Sequence, residues 1–140
     1  MSLIQKIKSA VELAGYQFFY DSGDGLDLLI DTADFSNSKC VVFAFLLSDS
    51  KLVDGVESAS IGLFFSRITE FDYQALENDA LQELCKIDAY KFLKSIDDGN
   101  ILTYDNISLK RFYDDFSVNV TGVAVNTNFS ETVGILLCQD

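Results

Sequence analysis

Eight consecutive apolar residues, Cys40–Leu47 (CVVFAFLL), stand between two polar stretches. A run of that length without alternation has the size of a strand and leaves no polar face for solvent, so it predicts a central strand buried on both faces. The rest of the chain must therefore supply further strands and covering helices. Leu3, Ile4, Ile7, Val11 and Ala14 recur at helical spacing and predict one buried stripe, with Lys6, Lys8 and Glu12 off it. Ser2 and Gln5 form an S-x-x-Q capping box, and Gly15 stands where a C-terminal cap belongs.

The segment YQFFY (16–20) reads as a strand, DSGDG (21–25) as a turn and LDLLID (26–31) as the returning strand of a hairpin. Residues 31–39 read as a loop and 48–58 as a long polar connection. ASIGLFFSR (59–67) reads as a strand with Gly62 as a bulge. A second helix is predicted from Thr69–Asp72 to about Ser95. One apolar row holds Leu76, Ala80, Leu84 and Ile87, and a second holds Leu81, Cys85, Ala89, Phe92 and Ile96. Its acids lie early and its lysines late, in accord with the helix dipole. ILTY (101–104), ISLKRFYDD (107–115), the long strand of RFYDDFSVNVTGVAVNTNF (111–129) and SETVGILLCQ (130–139) complete the strands. In the third of these the apolar parity changes after Gly122, which predicts a bulge at Thr121–Gly122 that keeps one face buried. The expected fold is α+β in one domain, residues 1–140. It has a mainly antiparallel or mixed sheet with two helices on one face, in the order α-β-β-β-β-α-β-β-β.

Function is bounded mostly by what the composition lacks. The chain has 10 Lys and Arg, 22 Asp and Glu, no His and a formal net charge of −12. That charge disfavours binding to phosphates or to an anionic membrane surface. Without His, the commonest general base and neutral metal ligand is missing. Cys40, Cys85 and Cys138 form no C-x-x-C pair and read as buried free thiols. GDGLDLL (23–29) is one copy of a calcium-repeat unit that needs stacked neighbours, and it reads as a hairpin turn. Asp97–Asp98 and Asp114–Asp115 read as solvated turn and edge charges. Neither Ser36-x-x-Lys39 nor Ser48-x-x-Lys51 opens a helix, as a Ser–Lys nucleophile requires. No enzyme, cofactor, metal site or catalytic residue is expected. The opening segment, charged throughout, reads as neither a signal peptide nor a membrane span. Leu52, Val53 and Val56 lie among charges on the 48–58 excursion. They either contact a neighbouring subunit or fold back on their own sheet.

The order of elements resembles small tail-terminator and head–tail neck proteins of tailed bacteriophages and prophages, including those of Bacteroidetes phages. The stretches that carry the likeness are IQKIKSAVELAGYQFFYDSGDGLDLLID, CVVFAFLL, IGLFFSR, DAYKFLKSI and above all DDFSVNVTGVAVNTNF. The resemblance implies a non-enzymatic virion subunit that forms a homo-oligomeric ring, a hexamer or higher, with other neck and tail proteins as partners. DNA would pass through the ring without specific binding, and assembly would take place in the bacterial host cytoplasm. An acidic lumen would suit that passage, because it repels phosphates. The alternative expectation is an acidic inhibitor or DNA mimic, of anti-defence or immunity type, that occupies a basic partner protein.

Overall fold

The computed structural model describes residues 3–20, 40–68, 75–99, 102–115 and 119–132. Helix α1 spans Leu3–Leu13 and buries Leu3, Ile7, Ala10 and Val11, with Ile4 and Ala14 packed alongside. Its end is set by Gly15, whose φ of 89° lies in the left-handed region. The Gly15 N–H donates to the Glu12 carbonyl at 2.9 Å and the Tyr16 N–H to the Val11 carbonyl at 3.2 Å. These are the paired bonds of a Schellman closure, and they turn Tyr16 into the core beside Val11. Gly15→Ala is expected to cost about 1–2 kcal/mol in denaturant unfolding, because alanine in this region meets its own carbonyl. A loss of only a few tenths would show that the turn relaxes. The Ser2 cap lies outside the described residues.

The strands are β1 (Gln17–Tyr20), β2 (Val41–Leu46), β3 (Lys51–Val53) and β4 (Val56–Ile68), then β5 (Thr103–Tyr104), β6 (Ser108–Asp115) and β7 (Asn119–Thr132). Helix α2 (Ala75–Gly99) separates the two groups. The sheet order is β1-β2-β4-β7-β5, with β3 beside β4 on the β2 side and β6 beside β7 on the β5 side. Among the described residues only β1 and β2 run parallel. The result, among the described residues, is an α+β fold with two helices and a mixed sheet of seven strands, in the expected order.

Both helices cover one face. From the sheet, Val42, Ala44, Ile61, Leu63, Phe65, Val123, Val125 and Phe129 meet Ile7, Val11, Cys85, Ala89, Phe92 and Ile96. The Phe65 and Phe92 rings stand 5.9 Å apart at the centre. Val41 and Phe43 point the other way, yet they are also buried, as a run without alternation requires. Beside them Phe19 stacks on Phe43 at 5.5 Å, and Phe45 meets Phe64 edge-on at 4.8 Å.

Four expectations are corrected. First, β7 pairs with β4 without a slip, from Val56↔Thr132 to Ile68↔Val120, so there is no bulge at Thr121–Gly122 or at Gly62. The parity change arises because the sheet is covered on both faces here. Val123 and Val125 face the helices, while Gly122 and Ala124 are buried on the other side. Second, residues 48–58 are not one long connection. They hold β3 and a two-residue turn, Asp54 (φ 53°) and Gly55 (φ 77°), with the positive angles of a type I′ hairpin. Third, Ala80, Leu84 and Ile87 are exposed, because a helix lying on a sheet buries one stripe, here centred on Cys85, Ala89, Phe92 and Ile96. Fourth, residues 130–132 continue β7 and do not begin a separate strand. The returning strand 26–31 and residues 133–139 lie outside the described residues.

Candidate functional site

The chemistry-bearing residues fall into three places: a buried network under α2, a polar band across the sheet, and the β3–β4 hairpin. In the first, α2 brings Asp88 over the end of β4. The Arg67 guanidinium donates to Asp88 Oδ2 at 2.8 Å, and the Tyr16 hydroxyl donates to Asp88 Oδ1 at 2.9 Å. Cys40 and Cys85 flank this pair. Burial raises both thiols, Cys85 to about 12, and the nearby Asp88 carboxylate raises Cys40 further. Burial and the Asp88 hydrogen bond likewise raise the Tyr16 phenol. For Arg67, burial is the largest influence and opposes the charge, but the Asp88 hydrogen bond and the nearby Cys85, Asp88 and Cys40 together outweigh it, and the pKa rises. Close by, Gln82 Nε2 donates to Thr121 Oγ1 at 2.9 Å.

A nucleophilic cysteine needs a thiolate and access, and both are withheld here. The network instead ties α1, α2, β2 and β4 together. Its raised acids give a signed pH dependence. Well below the ordinary thiol pKa of about 8.5 the thiols are neutral folded and unfolded, so they contribute no slope. Above it the unfolded chain loses protons that the folded chain keeps, and stability falls toward pH 12. Thermal unfolding is expected to show this alkaline loss, while Cys40 and Cys85 resist alkylation at neutral pH until the chain unfolds. Rapid labelling of either thiol in the native protein, read by mass spectrometry, would contradict the burial.

Asp97 and Asp98 hold separate partners. Asp97 accepts from the Tyr104 hydroxyl at 2.8 Å, and Asp98 pairs with Lys94 at 3.2 Å. The side chains of Asp114 and Asp115, the GDGLDLL stretch, Cys138 and Ser36–Lys39 lie outside the described residues. Ser48 lies in the connection before β3, not at a helix start. Its hydroxyl accepts the Ser60 N–H at 3.1 Å. Among the described residues no group of three His, Cys, Asp or Glu side chains is placed to hold a metal.

The second place is a band that sequence reasoning missed. Between Leu46↔Ile61 and Lys51↔Ser58, the stretch from Leu47 to Ser50 faces only Ala59 and Ser60. On the other edge, between Tyr104↔Phe129 and Ser108↔Asn126, Asp105 to Ile107 face only Thr127 and Asn128. Both irregularities meet the directly paired Ser60 and Asn128, whose side chains bond to each other. Asp105 accepts from Asn128 Nδ2 at 3.1 Å and from Thr127 Oγ1 at 3.2 Å. The Asn128 side-chain bond holds the Asp105 carboxyl below its ordinary value. A shallow hollow of about 540 Å³, lined by Ser48, Lys51, Ser58, Ser60, Asp105 and Asn128 among others, follows the band. The available signal was the Asp105–Asn106 dipeptide, a turn former between two strand-like runs.

The third place is the hairpin. Leu52, Val53 and Val56 are all exposed at its tip, and β3 is exposed along its length. Their backbones join the sheet, since β3 pairs with β4 and Val56 with Thr132, while their side chains stay exposed. The structure brings Val53 and Val56 together, because they pair directly across the Asp54–Gly55 turn, and sets Leu52 beside Glu57 on the other face of the hairpin. Thr121, by contrast, is buried in the helix-facing layer and Gly122 in the opposite one.

No protein-family model matches the chain, and no curated protein matches it in sequence.

Proposed function

We propose that this chain is a non-catalytic assembly subunit of a tailed-phage virion, forming a ring at the tail terminus or head–tail neck. The observation that carries the reading is the apolar hairpin tip, where Leu52, Val53 and Val56 stand exposed at one end of the sheet. Exposed apolar residues on a short, tightly turned edge are costly in a solitary protein and useful at an interface. The element order, which resembles phage terminator and neck proteins, supplies the virion context. The partners would be copies of itself and neighbouring neck or tail proteins.

The net charge of −12 favours one competing reading, an acidic inhibitor that fills a basic partner. The two separate on assembly. Mass photometry and negative-stain images of the purified chain over a concentration series are expected to show closed oligomers. A species that stays monomeric throughout and forms a tight one-to-one complex with a basic protein would replace the ring with the inhibitor. Portal, capsid and tail-tube genes beside the coding sequence would independently support the virion placement.

A further inference from the structure

Helix α2 carries a second apolar patch that faces solvent. Leu84 and Ile87 are each 46% exposed and Tyr90 50%, one and two turns apart on the side opposite the core stripe. Lysines and acids both border it, Glu83 and Asp98 lying on the same side as Lys91 and Lys94. Lys86 is bridged to Glu83 and Lys94 to Asp98, whereas Lys91 makes no ion pair among the described residues. The surroundings of the hairpin tip are mainly acidic. Val53 is 64% exposed and Leu52 53%, and Asp49, Asp54 and Glu57 flank them with one cation, Lys51. None of these three acids is in an ion pair among the described residues.

We infer that the β3–β4 hairpin tip of one copy docks on the Leu84–Ile87–Tyr90 patch of the next copy. This deepens the assembly reading above and rests on it. The two patches of one copy cannot meet. Asp97 near the end of α2 reaches Tyr104, level with Phe129 and Ala59, and the hairpin continues beyond that level. Ile87 lies ten residues back along the helix, about 15 Å in the opposite direction. Like-with-like contacts are disfavoured as well. Hairpin against hairpin sets three acids facing three, and helix against helix sets Lys91 against Lys91. Only the mixed pairing buries apolar side chains on both partners while matching acid to base. Two different surfaces meeting head to tail give a heterologous contact, which closes into a ring or runs into a filament.

Val53→Asp removes the tip and leaves the patch. Ile87→Asp removes the patch and leaves the tip. Both sites are exposed, so unchanged circular dichroism and melting temperature are expected for each variant. Each variant alone is expected to be monomeric by sedimentation velocity at concentrations where the natural chain assembles. An equimolar mixture is expected to give a dimer and nothing larger, because one good tip meets one good patch and the remaining surfaces are blocked. If either variant alone assembles like the natural chain, or the mixture stays monomeric, the docking pair is wrong while the assembly reading stands. If the natural chain itself never leaves the monomer, the assembly reading falls and this inference with it.

Discussion

Replacing Asp88 with alanine is expected to cost about 3–5 kcal/mol of folding stability, since a buried charge loses its partner. Asp88 and Arg67 have side chains only 11% and 19% exposed, and they meet at 2.8 Å. Alanine leaves the guanidinium in a low-dielectric site and removes the acceptor of the Tyr16 hydroxyl. The pair itself is a different matter. Arg67→Met with Asp88→Leu removes both charges and is expected to recover most of the loss, because the desolvation of two ions disappears with their attraction. Urea unfolding of the two single variants and the double gives the coupling directly. A cost under about 1 kcal/mol for Asp88→Ala would mean that water reaches the pair.

The second large effect concerns space and leaves backbone conformation aside. Gly122 does not have a positive φ. A Cβ there would lie 1.9 Å from the Phe65 carbonyl oxygen, 3.0 Å from its carbon and 3.1 Å from Ser66 Cα. All three are backbone atoms of the central strand β4, so no rotamer change relieves the clash. The β4–β7 ladder must separate locally. Gly122→Ala is expected to cost about 3 kcal/mol, the upper end of the overpacking range, and Gly122→Val more. Gly62 provides the control in the same sheet. Its Cβ would meet the tip of the Phe45 ring and Asn126 Oδ1, both at 2.8 Å, and those are ends of side chains. Gly62→Ala is therefore expected to cost about 1 kcal/mol. Equal losses at the two positions, measured by thermal and urea unfolding, would refute the backbone contact.

Helix α1, its glycine closure and the strands at 17–20, 41–46 and 103–115 were legible from local signals, because in each the apolar spacing and the turn residue agree. The errors share a cause. β3 is three residues long, below the length at which periodicity speaks, and only the Asp54–Gly55 dipeptide betrayed it. At Gly122 the pattern was correctly noticed but assigned to the wrong remedy. A change of parity signals a bulge only when one face is solvated, and here both are buried. The outer row of α2 looked like core because Leu84 and Ile87 are apolar. Position 88 carried the contrary sign, a carboxylate within the Cys85–Ala89–Phe92 stripe, which marks a buried partner such as Arg67. The exposed Leu52, Val53 and Val56 were found because apolar residues amid charges on a connection stand out without any knowledge of the fold.

The coincidence of the two strand irregularities at Ser60 and Asn128 has a mechanical consequence. At that level only β4 and β7 run through unbroken, and the neighbouring ladders are interrupted on either flank. A beam is weakest where it is narrowest, and extra residues of this kind also add local twist. Beyond that level Ala59 and Phe129 stay buried beneath the helices and Lys6 of α1 pairs with Glu131, so the β3–β4 tip projects from a narrow neck that α1 braces from one side.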